Sequence, residues 1–116
     1  MTPLDYRNLL LQRQHAQTTH AQIGRKADAM MTLSCPGPAP LWSGDKEGQP
    51  LAARPTGDAV FNYPSSMLFA PVVNVPLMAV DGLPVGVQLI GQQHEDARMT
   101  SLARWMLESL EPVVIN

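Results

Sequence analysis

The spacing of apolar residues predicts a helix at each end of the chain. Residues 3–26 have no internal proline and are rich in Leu, Gln, Arg and Ala, which are good helix formers. Six residues at helical spacing share one side of this helix: Tyr6, Leu9, Leu10, Arg13, Ala16 and Gln17. Residues 94–111 are the second predicted helix, with a single stripe of Met99, Leu102, Ala103, Met106, Leu107 and Leu110.

Between the helices, residues 71–91 have the pattern of a β-hairpin. Two apolar strands, 72–80 and 85–90, flank a turn at residues 81–84. Both strands are apolar at consecutive positions, which is typical of strands covered on both faces. Gly82 and Gly86 are expected to supply turn freedom and close backbone approach. The apolar run 28–32 is a further candidate strand.

The middle of the chain is dominated by proline and glycine. Five prolines and four glycines fall within residues 36–57, a density that blocks both a helix and a central strand. We therefore predict that residues 33–60 form a long irregular crossing segment. Residues 62–69 are predicted to form a short helix that Asn62 caps, with Pro64 in its first turn.

Together these elements predict an α/β fold in which helices pack on a β-hairpin that forms part of a mixed sheet. The 116 residues allow one domain, treated as a single segment 1–116. A net charge of −2 favours neither nucleic acid nor an anionic membrane as a partner. No apolar run approaches a membrane span, and the single cysteine, Cys35, fits a reducing cytoplasm.

Several short motifs occur in order along nearly the whole chain. They are Asp28-Ala29-Met30-Met31-Thr32, the Pro-rich run 36–40, Thr56-Gly57-Asp58, Phe61-Asn62, the pair Pro71 and Pro76, Gly82-Leu83-Pro84-Val85-Gly86-Val87-Gln88, Gly91 and Asp96. In this order the motifs resemble the carboxy-terminal part of the amidase-signature hydrolases. Leu33 and the pair Phe69-Ala70 depart from the family pattern, where a proline and a glycine are common.

The resemblance implies the carboxy-terminal piece of an α/β/α sandwich and the hydrolysis of amide C–N bonds. It also implies a nucleophilic serine, a second serine on a cis peptide and a lysine, in a Gly/Ser-rich region that this chain does not contain. No member of that triad can be carried over to a residue of this chain. We therefore expect no catalytic activity from the chain alone.

The remaining candidates for chemistry are better explained as structural residues. Ser65 and Ser66 are the only serine pair and lack flanking glycines, and neither Lys26 nor Lys46 lies in an apolar setting. Gln88 either lies beside an active site or is a core amide with satisfied hydrogen bonds, and the second interpretation is favoured.

No metal or cofactor site is predicted. His15 and His20 are five residues apart, which is not one helical face, and His94 stands alone. Cys35 fits inert packing better than reactivity. Trp42 is interpreted as packing, with a substrate mouth of the complete enzyme as the alternative.

Two function classes stay open. The chain is either the carboxy-terminal part of an amidase, as a truncated product, split subunit or isolated domain, or a non-catalytic interaction module derived from that fold. Its expected partner is the upstream amidase core or a second copy of itself. Because a lone hairpin has two exposed edges, self-association through the hairpin is expected.

Overall fold

The computed structural model describes residues 1–41 and 59–116, which form an α/β fold as predicted. In chain order the elements are α1 (Pro3–Ile23), β1 (Met30–Leu33), α2 (Asn62–Met67), β2 (Val72–Val80), β3 (Leu83–Ile90), α3 (Asp96–Ser109) and β4 (Val113–Ile115). In these two ranges no helix combines the length and apolar character needed to cross a membrane.

The hairpin lies at the centre of a four-stranded mixed sheet. The strand order is β1-β3-β2-β4, with β3 antiparallel to both neighbours and β4 parallel to β2. Both strands of the hairpin have an outer partner over part of their length: β3 pairs with β1 at residues 87–90, and β2 pairs with β4 at residues 78–80. The premise of two fully exposed hairpin edges is wrong for those residues, whereas the self-association itself stays a prediction.

Two backbone features shape the hairpin. Gly82 has φ +76° in the turn, a conformation that side-chain-bearing residues rarely adopt. Pro76 lies where the register between β2 and β3 shifts, between Val75 and Met78. Since proline has no N–H to donate to a strand ladder, it is accommodated at such an irregularity.

The apolar core lies between one face of the sheet and α3. Four strand residues and two residues of the helix pack together: Val75, Leu77, Val87, Leu89, Ala103 and Met106. Residues 87–90 of β3 are buried without interruption, so both faces of this strand are covered as expected. Strand β2 differs from the prediction, because Val72, Asn74 and Pro76 expose its second face.

Helix α1 begins with a capping box, in which the Thr2 hydroxyl bonds the Asp5 amide and the Asp5 carboxylate accepts from Thr2. The hydrogen bonds that the Asp5 carboxylate accepts, first from the Thr2 backbone N–H and then from the Thr2 hydroxyl, lower the pKa of Asp5. The helix ends at Ile23 with Gly24 as its cap, three residues before the predicted end.

Within the described parts of the chain, the second half of α1 is the half that packs against other elements. The Arg13 guanidinium lies 4.2 Å from the centre of the Phe69 ring, and the Gln17 amide donates to the Met67 carbonyl at 3.0 Å. Tyr6, Leu9 and Leu10 are exposed, so much of the predicted apolar stripe has no partner in residues 1–41 and 59–116.

Other helix ends also differ from the prediction. Phe61, not Asn62, is the N-cap of α2, and its side chain makes no capping bond. The helix stops at Met67, and Phe69 follows with φ +52°, which no helix continues through. Helix α3 starts at Asp96 because His94 has φ +67°, and it ends at Ser109.

Two further parts of the chain bear on the sequence-based expectations. No strand was predicted after the last helix, whereas Val113–Ile115 form β4. Of the crossing segment predicted over residues 33–60, Leu33 belongs to β1. Trp42, Lys46 and the run Thr56-Gly57-Asp58 lie outside the described residues.

Gly86 provides a test of the predicted close approach. A methyl group at this position would overlap the side chains of Asn74 and Ser34. We expect Gly86→Ala to lower the free energy of unfolding by about 1–3 kcal/mol, the usual cost of overpacking. Urea denaturation followed by circular dichroism measures the change.

The matched control for this prediction is Gly37→Ala. No atom of residues 1–41 or 59–116 lies within 4 Å of the methyl group added there. This control should stay within about 0.5 kcal/mol of the unsubstituted chain. Equal stability of the two variants would show that Gly86 is not closely approached.

Candidate functional site

A buried carboxamide on β3 joins three parts of the chain. Gln88 is 2% exposed, and its Nε2 lies 2.9 Å from Thr32 Oγ1, 3.1 Å from the Leu33 carbonyl and 2.9 Å from the Phe61 carbonyl. Carbonyl oxygens only accept hydrogen bonds, so the nitrogen must be the atom that faces them. The structure supports the interpretation of Gln88 as a hydrogen-bonded core amide.

The surroundings of Gln88 extend this polar cluster along the sheet. Thr32 and Asn74 are the direct cross-strand neighbours of Gln88 on its two sides. The Thr32 hydroxyl donates to the Leu33 carbonyl at 3.0 Å. Beyond the end of β1, both the amide and the hydroxyl of Ser34 donate to the Gly86 carbonyl, at 3.0 and 2.9 Å.

Sequence reasoning missed these partners of Gln88. The runs of consecutive apolar residues indicated the strands, but the pairing of β1 with β3 brings together residues far apart in sequence. Thr32 is the last residue of the candidate strand 28–32, and Ser34 lies shortly after it. An antiparallel pairing of this candidate strand with the predicted strand 85–90 is the one hypothesis that could have placed Thr32 and Ser34 beside it.

A second polar contact ties the end of α1 to the end of β3. His20 is buried, and its Nε2 lies 2.7 Å from the Gly91 carbonyl, so this nitrogen carries the hydrogen. Its Nδ1 is buried with no hydrogen-bond partner among the described residues. The side-chain amide of Gln92 donates in turn to the backbone carbonyl of His20 at 2.9 Å. Two hydrogen bonds therefore join the end of α1 to the residues that follow β3.

An open groove of about 440 Å³ lies next to this contact. Its lining is polar and rich in carboxamides: Gln14, Gln17, Thr18, His20, Ala21, Leu68, Gln92 and Gln93. Gln17 and Gln92 already donate to backbone carbonyls, and the Thr18 hydroxyl donates to the Gln14 carbonyl at 2.9 Å. Three of the polar side chains in the lining therefore already make structural hydrogen bonds to backbone carbonyls.

An ion-pair cluster borders the start of α3. Arg98 pairs with Glu95 at 2.9 Å and with Asp28, which precedes β1. The Glu95 carboxylate accepts hydrogen bonds from the backbone N–H of Gln92 and from the Arg98 guanidinium. These bonds, the one from Gln92 first, lower the pKa of Glu95. These exposed charges fix the turn between β3 and α3, and they contribute little to stability.

The serine pair has no catalytic surroundings in the described parts of the chain. The hydroxyls of Ser65 and Ser66 both donate to the Asn62 carbonyl, at 3.0 and 2.8 Å. This is the back-bonding usual for helical serines. Lys26 makes no side-chain hydrogen bond or ion pair in residues 1–41 and 59–116, and Lys46 lies outside them.

The candidate metal ligands are not brought together either. Across the two described ranges, no group of three or more His, Cys, Asp or Glu side chains could hold a metal ion. His20 is committed to Gly91, and Cys35 is a free, half-buried thiol beside the Ser34 hydroxyl.

The chain is similar in sequence to one of the subunits of glutamyl-tRNA(Gln) amidotransferases. It is 33% identical over 95 residues to the protein of Chlorobium chlorochromatii (strain CaD3), covering 81% of this chain and 19% of that protein. For the protein of Symbiobacterium thermophilum (strain DSM 24528 / JCM 14929 / IAM 14863 / T), the identity is 38% over 77 residues, 66% of this chain and 15% of that protein. The mitochondrial protein of Rattus norvegicus is 35% identical over 64 residues, 54% of this chain and 12% of that protein.

A solved structure supports the same relationship. The crystal structure of an amidase superposes on 95% of this chain with a TM-score of 0.76 and 28% sequence identity, covering 26% of that amidase. No protein-family model matches the chain. The chain spans less than one fifth of the length of these curated relatives. From the likeness in both sequence and fold, the chain belongs to the amidase-signature family and corresponds to a carboxy-terminal portion of its α/β fold.

Proposed function

We propose that this chain is the carboxy-terminal part of an amidase, a hydrolase of amide C–N bonds, and that it has a structural role there. It completes the sheet and contributes a wall of the substrate pocket, while the catalytic side chains come from elsewhere in the enzyme. The observation that carries the proposal is the superposition of 95% of the chain on 26% of a solved amidase.

The chemistry of the described residues supports a non-catalytic role. Amide hydrolysis needs an activated nucleophile, a base and oxyanion donors. The Ser65 and Ser66 hydroxyls are bonded to a backbone carbonyl of their own helix, with no base among their partners in the described residues. We therefore assign no catalytic role to Ser65, Ser66 or any other described residue.

The first half of α1 supports a large partner. Leu4 and Leu11 are about two turns apart and share one face, whereas Leu9 and Leu10 lie toward the opposite face. All four are exposed: the accessible fractions of Leu4, Leu11, Leu9 and Leu10 are 65%, 54%, 49% and 43%, respectively. A helix that is apolar on opposite faces is typical of a buried helix.

These two apolar faces favour the upstream amidase core over a second copy of the chain. A single flat contact with a second copy covers one face of a helix, whereas the rest of an amidase can enclose α1 from both sides. Within residues 1–41 and 59–116, the outer sides of β1 and β4 have no strand partner, and a larger sheet in the same enzyme would satisfy their backbone groups. A self-associating, non-catalytic module remains the alternative function.

The proposed enzyme is cytoplasmic. The unpaired Cys35 thiol is compatible with a reducing compartment. Neither nucleic acid nor a membrane is proposed as a direct partner of this segment, given its net charge of −2.

An exchange of segments tests the proposed function. The matching quarter of the solved amidase is replaced by this chain, and hydrolysis of simple aliphatic and aryl amides is measured. We expect the chimera to be active and the amidase without that quarter to be inactive. A chimera that folds, shown by a cooperative thermal transition, but does not turn over any amide would contradict the proposal.

The isolated chain should not hydrolyse the same amides. Without a serine triad, an enzyme keeps only about 10³–10⁴-fold acceleration over water, and that remainder depends on an oxyanion hole and substrate binding. The test compares the chain with its Ser65→Ala and Ser66→Ala variants. Turnover that either substitution abolishes would show that the chain carries its own nucleophile.

Substitutions on α1 distinguish the two possible partners. In the chimera, Leu9→Glu and Leu4→Glu should each lower the free energy of unfolding by about 2–4 kcal/mol, because an apolar contact is lost and a charge is buried. In the isolated chain the same changes should stay within about 0.5 kcal/mol, as both positions are exposed.

The charge-matched control is Gln12→Glu, at an exposed polar position of the same helix. It should be near neutral in both proteins. If instead the isolated chain forms a dimer in sedimentation experiments, and Leu9→Glu alone dissociates it, a second copy is the partner and the preference for the amidase core is wrong.

A further inference from the structure

Two of the three hydrogen-bond partners of Gln88 lie at opposite ends of one stretch of the chain, which packing alone does not require. Leu33 is the last residue of β1, and Phe61 is the residue before α2. These two residues therefore bracket residues 34–60, and both give their carbonyl oxygens to the same Gln88 nitrogen, at 3.1 and 2.9 Å.

The chemistry of this contact demands a carboxamide. The Thr32 hydroxyl donates its hydrogen to the Leu33 carbonyl, so the hydroxyl oxygen acts as the acceptor for Gln88. Three acceptors thus converge on one nitrogen that carries two hydrogens. An apolar side chain of the same size supplies no hydrogen to them, and a carboxylate repels them.

The neighbouring contacts hold the same region to β3. Ser34 donates twice to the Gly86 carbonyl, through its amide and its hydroxyl. The start of the bracketed region is therefore held by the backbone of β3 and by Gln88, whereas its end is joined to β3 through Gln88 and the Phe61 carbonyl.

We propose that Gln88 is a positioning residue that holds the exit from β1 and the entry to α2 at a fixed separation on β3. If the amidase function proposed above is correct, Gln88 thereby fixes, within that enzyme, where Leu33 and Phe61 join the sheet. The proposal concerns these two anchor points, and Gln88 touches no reacting atom.

Hydrogen exchange of the full 116-residue chain tests the proposal without any enzyme activity. In Gln88→Met, which keeps the length of the side chain and removes both donor hydrogens, the amides of Ser34, Asn62 and Tyr63 should lose about tenfold in protection, as expected for a buried acceptor left unpaired. The amides of Met99 and Leu110, which bond within α3 and its start, should keep their protection.

A second variant adds a readout that a packing role does not move. In Gln88→Glu the introduced carboxyl has the raised pKa of a buried acid among carbonyl oxygens. When protonated, it can donate one hydrogen again, so protection at Ser34 and Asn62 should be partly restored at about pH 5 and lost as the pH rises through the raised pKa of the introduced acid. The introduced acid takes up its proton in the folded state first, so this restoration appears as the pH falls.

The matched control is Gln92→Met, which removes a carboxamide that donates to the His20 carbonyl at 2.9 Å. It should change exchange at the end of α1 and leave Ser34 and Asn62 unaffected. Unchanged protection at Ser34 and Asn62 in Gln88→Met, or an equal loss throughout α3, would overturn the proposal. If Gln88→Met does not fold, the absence of any pH-dependent restoration in Gln88→Glu overturns it instead.

These outcomes are independent of the amidase proposal. An inactive chimera together with local loss of protection in Gln88→Met would reject the amidase function and retain the anchoring role. An active chimera with unchanged exchange in Gln88→Met would support the amidase function and reject the anchoring role.

Discussion

Burial of β3 on both faces is the constraint on which the described structure depends. A strand covered on both sides must satisfy every polar group that it carries, because none can reach water. On one face β3 presents Val87 and Leu89 to α3, and on the other it presents Gly86 and Gln88 to β1 and α2. The two neighbouring strands take up its backbone groups, and Thr32, Ser34 and Phe61 take up its remaining polar contacts.

The local parts of this arrangement could be predicted from the sequence. The stripe from Met99 to Leu110 has a helical period, and the two apolar runs on either side of Gly82 are short and bounded by turn residues. They therefore indicate a helix and two strands without knowledge of their surroundings. The motif from Gly82 to Gln88 likewise carries the family resemblance within a few consecutive residues. Such features are encoded by neighbouring residues.

The parts that sequence analysis missed depend on residues distant in the chain. The three residues of β4 are too few for a periodic signal, and they form a strand only because β2 offers a free edge. Nothing in the residues around His20 indicates its contact with the Gly91 carbonyl, because that carbonyl follows β3, far along the chain. The stripe around Leu9 was correctly recognised as apolar, but its cover is not supplied by the described residues. The same separation in sequence hid the partners of Gln88, so the site was less predictable than the fold.

Holding both ends of residues 34–60 on one strand also affects how the family can diversify. The contacts that Gln88 and Gly86 make with Leu33, Ser34 and Phe61 involve none of the residues between Ser34 and Phe61. A change in the number of those residues therefore leaves these contacts intact. Evolution can thus alter the length and composition of this region without redesigning the sheet that carries it.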